Sequence, residues 1–316
     1  MKDKPNFGYI QVTRTCNQKC VFCSNPYVED TLTLEDGKKQ IDYYVDECGV
    51  NEIILSGGEP TLNTHLPDFI EYSFEKGATP RIITNGQKIS EINYFKKLYD
   101  KGLRLFMVSI YSHDKKIHDK LTGVSGSYDK LMKALKNVSD YVGFLNINIT
   151  INSLNVKSLH ETVFFLIQKF PKIKHFVFNN LDPTGRAVDN LWTVPKLVDI
   201  ELPLAYTVKV LKQYNKSFRI ERVPLCYMDG FEEFSTETRR IVKNQAYRCL
   251  FLEESGRRLF EKKNSFYYPN GKIETCQICT LNEICTGLNT RYVKLLDKKE
   301  LYPVFKDPNK IIKKIQ

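Results

Sequence analysis

Six short, β-branched runs alternate with amphipathic stretches through the first two-thirds of the chain. No other sequence feature restricts the fold as strongly. The runs fall at residues 9–13, 52–56, 81–84, 105–110, 145–151 and 175–179, and helical periodicity fills 34–48, 66–76, 91–101, 128–141 and 156–170. Thr33, with Asp36 three residues on, marks one helix start, and Ser90 and Ser127 offer caps for two others. Gly49, Gly77 and Gly102 stand where helices should stop. Strands that alternate with helices pair in parallel through right-handed crossovers. Six units do not close an eight-stranded barrel, so the expected fold is α/β, an open, partial (β/α)6 barrel of the TIM type. Its site belongs in the loops after the strands.

Beyond about residue 182 the pattern changes: a helix is expected at 197–211, a strand at 217–223, and then irregular, cysteine-bearing chain. The expected division is a core of residues 1–215 and a smaller unit of 216–316. The longest apolar run, residues 163–167, is far too short for a bilayer, and no apolar stretch follows Met1 that would act as a signal peptide. A cytoplasmic protein without a membrane partner is the expectation. Residues 201–316 carry 22 of the Lys and Arg against 14 Asp and Glu, a net +8 of the whole chain's +10. That surplus suits an acidic partner or a solvated lysine-rich surface, and the lysines of 310–314 read as a soluble tail.

The nine cysteines are unevenly spread, with three between Cys16 and Cys23 and three between Cys276 and Cys285. A reducing compartment disfavours disulfides, so tight groups of this kind point to metal. Cys16-x3-Cys20-x2-Cys23 directly follows the first strand. Three thiolates there can hold three corners of an iron–sulfur cube and leave one iron open, whereas structural zinc would need a fourth ligand nearby. Neither His nor Cys stands between Cys23 and Cys48, and Cys48 reads as a core residue.

Cys16, Cys20 and Cys23, with Phe22 in the aromatic position, resemble the CxxxCxΦC motif of the radical S-adenosylmethionine (SAM) superfamily. The resemblance implies a 4Fe–4S cluster whose open iron chelates SAM. One electron then releases a 5′-deoxyadenosyl radical that abstracts hydrogen from substrate. It also implies further SAM contacts. Gly57, Gly58, Glu59 and Pro60, after the second strand, look like the family's motif for the methionine amine, and Phe22 is expected near adenine. Thr84 and Asn85 resemble its TNG loop, and Ser109 a ribose or carboxylate contact. Asn148 and Thr150 share one strand face and are expected to reach SAM. The loop 181–186 resembles one whose backbone borders adenine. His118, in the loop with Tyr111, Ser112 and Asp119, is as a lone histidine more often structural than catalytic.

Cys276-x2-Cys279-x5-Cys285 with a distant fourth cysteine suits a fully ligated cluster, and four-cysteine zinc uses similar spacings. The region is similar to the SPASM/twitch auxiliary domains that follow many radical SAM cores. Such a domain would hold seven cysteines or so, and only five stand here. One auxiliary Fe–S cluster on Cys226, Cys276, Cys279 and Cys285 is therefore implied, with Cys249 left as a thiol. These domains bear on peptide or protein substrates, so peptide modification with an electron donor such as flavodoxin or ferredoxin is the expectation. RNA, a nucleotide or a small metabolite is the alternative substrate, although no recognised nucleic-acid-binding module is present. A non-catalytic Fe–S or zinc scaffold is the alternative of another class.

Overall fold

The computed structural model describes residues 7–24, 29–244, 247–251, 258–262, 271–296 and 298–316, with the backbone alone for 247–251, 258–262 and 298. Seven strands, β1 (Gly8–Thr13), β2 (Glu52–Gly57), β3 (Thr79–Thr84), β4 (Leu105–Ser109), β5 (Leu145–Ile151), β6 (Ile173–Asn180) and β7 (Ser217–Glu221), lie side by side in chain order. All pair in parallel. The crossovers between them carry α1 (Leu34–Asp42), α2 (Leu66–Glu75), α3 (Ile92–Asp100), α4 (Lys115–Thr122), α5 (Ser127–Tyr141), α6 (Leu159–Lys169) and α7 (Leu197–Gln213). The result is the open, partial barrel that the alternation predicts.

The sheet continues past both ends of the six-strand pattern. β7 pairs with β6 from His175↔Ser217 to Asn179↔Glu221, beyond residue 215. On the far side of β1, β8 (Tyr247–Phe251) pairs in parallel and β9 (Arg258–Lys262) returns antiparallel to it. Cys249 lies on β8, and its side chain is outside the described residues.

The two sheet faces differ. Ile10, Val12, Ile53, Leu55, Ile82, Phe106, Val108, Ile147, Ile149, Phe176 and Phe178 point outward beneath the helices and are buried. The alternate residues Arg81, Ser109, Asn148, Thr150, His175, Asn179, Arg219 and Glu221 are only half-buried. A closed barrel fills its interior with packed side chains. This one carries many polar, half-buried side chains on its inner face, with Ile54, Met107 and Val177 buried among them.

Local differences have local causes. The first helix is α-helical only to Asp42 and widens into a π-helical turn over Tyr43–Glu47. Thr33 caps it as expected, accepting from the Asp36 N–H. Ser90 and Ser127 do not cap: the Ser90 hydroxyl donates to the Gln87 carbonyl, and that of Ser127 to Asp119 at 2.8 Å. The Asp119 carboxylate instead accepts from the Gly126 and Tyr128 amides at the start of α5.

Among the described residues, three further helices follow β7: α8 (Thr236–Val242), α9 (Thr290–Leu295) and α10 (Pro308–Ile315). α10 corrects the expected soluble tail. Asp307 caps it, Pro308 opens it, and Ile311 and Ile315 are buried, each contributing about 2 kcal/mol. Glu300 ties this region to α7 by accepting from the Leu197 N–H at 2.5 Å and from the Tyr292 hydroxyl at 3.0 Å. Among the described residues, no helix is long and apolar enough to cross a membrane.

Candidate functional site

The loop after β1 carries Cys16, Cys20 and Cys23 and is locked to the end of β2. The Gly58 N–H donates to the Thr13 carbonyl at 2.7 Å, and the Glu59 N–H to the Thr15 carbonyl at 2.8 Å. This contact explains both glycines. Gly57 has φ +145°, and a Cβ there would stand 2.0 Å from the Thr13 carbonyl oxygen; one on Gly58 would stand 2.3 Å from that of Thr15. The close approach is to the cysteine loop itself. Sequence reasoning looks only for a ligand there.

Glu59 is fully buried and gathers donors from two segments, its own turn and the end of β3. Its Oε1 accepts from the Thr61 hydroxyl and the Thr84 hydroxyl at 2.7 Å each and from the Thr61 N–H, and Oε2 accepts from the Asn85 N–H at 2.7 Å. Burial raises its pKa, and these donors oppose that rise. Pro60 opens the short 3-10 turn Pro60–Leu62. Asn85 continues the chain of contacts, donating to Asn17 Oδ1 at 2.7 Å and lying 4.0 Å from Cys16 Sγ.

Two other loops close around the cysteines. The amides of Lys19 and Val21 donate to the carbonyls of Thr122 and Leu121 at the end of α4. From the loop after β6, the Arg186 N–H donates to the Cys23 carbonyl at 2.9 Å, and Gly185 is required because a Cβ would stand 2.4 Å from that carbonyl oxygen. Phe22 is buried with its ring edge-on to Tyr111 at 4.9 Å. Tyr111 stacks on His118, whose Nδ1 accepts the Tyr111 N–H at 3.3 Å. Burial drives the His118 pKa down to about 4, so the ring is neutral and supports Tyr111.

Ser109, the last residue of β4, is the register partner of Asn148 in the middle of β5, and Thr150 lies two residues on along the same inner face. Asn148 Oδ1 already accepts from Asn179 Nδ2 at 2.7 Å. Within the cysteine loop, the spacing singles out neither Asn17 nor Gln18, and the resemblance of the loop 181–186 does not announce the contact of Gly185 with Cys23. Only the fold brings Gly185 there.

Cys226, Cys276, Cys279 and Cys285 all line one cavity, with Leu225 and Tyr302. The Gly287 N–H points at Cys285 Sγ at 3.4 Å and the Val304 N–H at Cys279 Sγ at 3.3 Å, while the Tyr302 hydroxyl donates to the Cys226 carbonyl. Burial pushes the Cys226 thiol up to about 12. Cys48 is buried in the hydrophobic core.

The donor chemistry fits metal at both groups. Burial, with the charge of Cys23 adding to it, drives the Cys16 thiol up to about 11 and that of Cys20 higher still. Sulfurs so desolvated and so close ionise together only against a compensating cation. Among the described residues, no three His, Cys, Asp or Glu side chains are gathered tightly enough to hold one metal ion. A tetrahedral ion needs its donors at about 2.3 Å, whereas a cube gives each sulfur its own iron.

An open α/β barrel with a three-cysteine loop at the carboxyl end of its first strand, braced by the loops after β2, β3, β4 and β6, defines a recognisable class. Residues 10–166 match the Radical SAM superfamily, and the chain belongs to it. The Fe-coproporphyrin III synthase of Methanosarcina barkeri (strain Fusaro) is 34% identical over 189 residues, covering 58% of this chain and 46% of that protein. The antilisterial bacteriocin subtilosin biosynthesis protein AlbA of Bacillus subtilis (strain 168) is 27% identical over 191 residues, covering 58% and 41%. Among solved structures, Streptococcus suis SuiB bound to S-adenosylmethionine is similar with a TM-score of 0.67 at 19% identity, covering 96% of this chain and 77% of that one. SuiB bound to precursor peptide SuiA gives 0.66 at 19%, covering 95% and 75%. At that identity the likeness is one of fold. The chain spans about half the length of most curated relatives it matches.

Proposed function

We propose that this chain binds a 4Fe–4S cluster on Cys16, Cys20 and Cys23, with SAM on its open iron, and abstracts hydrogen from a peptide or protein. When bound, the cluster and SAM supply a one-electron route to hydrogen abstraction. The observation that carries the reading is the continuous run of contacts from the cysteine loop through Gly58 and Glu59 to Asn85, all at the carboxyl ends of parallel strands. In it Gly57, Gly58, Glu59 and Pro60 form the wall that takes the methionine end, with Glu59 fixing Thr84 and Asn85. Phe22 flanks adenine. Ser109, Asn148 and Thr150 present polar groups from the inner face to the nucleoside. Flavodoxin or ferredoxin serves as electron donor in the cytoplasm, whose reducing conditions disfavour disulfides.

Residues 216–316 act as a SPASM/twitch-like unit that holds an auxiliary Fe–S cluster on Cys226, Cys276, Cys279 and Cys285. Their convergence on one cavity supports this, and with it a peptide substrate. AlbA, named for bacteriocin biosynthesis, and SuiB, solved with a precursor peptide, support the same substrate class. A second reading, a small-molecule substrate, draws on the likeness to a coproporphyrin-named synthase and on the basic final third.

Incubation of the reconstituted chain with SAM, dithionite and short peptides encoded beside its gene tests the substrate. A peptide that loses hydrogen only with the active chain supports the reading. Turnover of a tetrapyrrole or nucleotide, with every such peptide untouched, contradicts it.

A further inference from the structure

We infer that the side chains of Tyr111 and Gln18 form a hydrogen-bonding collar on the Cys20 sulfur that raises the reduction potential of the cluster held there. This rests on the proposal that Cys16, Cys20 and Cys23 hold that cluster. The Tyr111 hydroxyl is hydrogen-bonded to the Cys20 side chain. Its ring cannot easily leave: Phe22 abuts it edge-on at 4.9 Å, and His118 stacks on it at 5.6 Å. Its backbone is held as well, the N–H by His118 Nδ1 and the carbonyl by Asn155 Nδ2 at 2.8 Å.

Gln18 approaches the same sulfur. Its side chain is 4% exposed, with Oε1 3.6 Å from Cys20 Sγ, and its Nε2 is buried without a partner. That arrangement suits a thiol, which donates to the amide oxygen. A metal-bound thiolate has no proton to give. Rotation of the amide about its last bond then aims Nε2–H at the sulfur and satisfies the unpartnered group. Cys20 would thus accept two side-chain hydrogen bonds, whereas Cys16 accepts a main-chain one from Gln18 N–H at 3.4 Å. Donors on cluster sulfurs stabilise the added electron, so they raise the potential.

The test is an EPR-monitored redox titration of the anaerobically reconstituted full chain with dithionite, following the signal that shifts when SAM is added. Tyr111→Phe keeps the ring contacts and removes only the donor; Gln18→Met removes the amide at similar volume. Tyr128→Phe, beside His118 at 5.8 Å, is the control. Each collar variant is expected to lower the reduced-to-oxidised ratio at fixed potential about tenfold, or 59 mV for one electron, with the control unchanged. Iron-replete collar variants that titrate with the wild type would overturn the inference. A wild-type chain that takes up no iron at Cys16–Cys23 would overturn the underlying reading instead. Should one variant fail to take up iron, the other decides.

Discussion

The main-chain N–H of Asn85 donates to Oε2 of Glu59 at 2.7 Å, which ties the loop after the third strand to the loop after the second. Glu59→Ala would leave that amide, the Thr61 amide and the Thr84 hydroxyl unpaired in a fully buried place. An expected loss on the order of 3 kcal/mol follows, read as a fall in the urea midpoint of the iron-free chain. An unchanged midpoint would show that Glu59 serves a ligand and not the scaffold.

Gly57→Ala should be worse than its small size suggests. The new Cβ meets the Thr13 carbonyl oxygen at 2.0 Å, so the cysteine loop must move, at a cost of about 3 kcal/mol or more. Gly77→Ala is the comparison, with φ +82° but nothing within 4 Å, and should cost only about 1 kcal/mol. Iron uptake at the first cluster should fall in the former and persist in the latter. Equal iron in both would contradict the role given to the glycine pair.

Much of this was readable in the sequence, because strands with β-branched runs and helices with a 3.6-residue period announce themselves locally. β5, at Leu145–Ile151, coincides to the residue with its β-branched run. The helix α4 escaped because Lys115–Thr122 offers only Ile117 and Leu121 as apolar marks. The cysteines were legible because their chemistry needs fixed spacing. The inward role of Gly57, the approach of Tyr111 to Cys20 and the meeting of Gly185 with Cys23 depend on chain segments brought together from far apart, and no local pattern encodes them.

Burial, and then the charge of Glu221, raises the Glu237 carboxyl from 4.5 to about 7. A carboxyl whose folded pKa lies above its unfolded one favours folding while protonated. That contribution is complete below about pH 4.5 and is lost as the pH rises through about 7, a swing of about 3 kcal/mol. Glu237→Gln keeps an acceptor for the Arg222 N–H, at 3.2 Å in the native chain, and should flatten the decline. Thermal melts from acid to mildly alkaline pH check this; parallel curves for the two chains would refute it.

Cys276→Ala with Cys279→Ala should lower the iron content by about half and leave the signal of the first cluster in place. Elemental analysis that finds zinc in the wild-type chain, with iron unaffected by these substitutions, would assign the C-terminal group to zinc.

Release of 5′-deoxyadenosine measures the central claim most directly. The reconstituted chain with dithionite and SAM should form it under anaerobic conditions, and Cys16→Ala should form none. Undiminished release from Cys16→Ala would contradict the assignment of the cysteine loop after the first strand as the site of SAM cleavage.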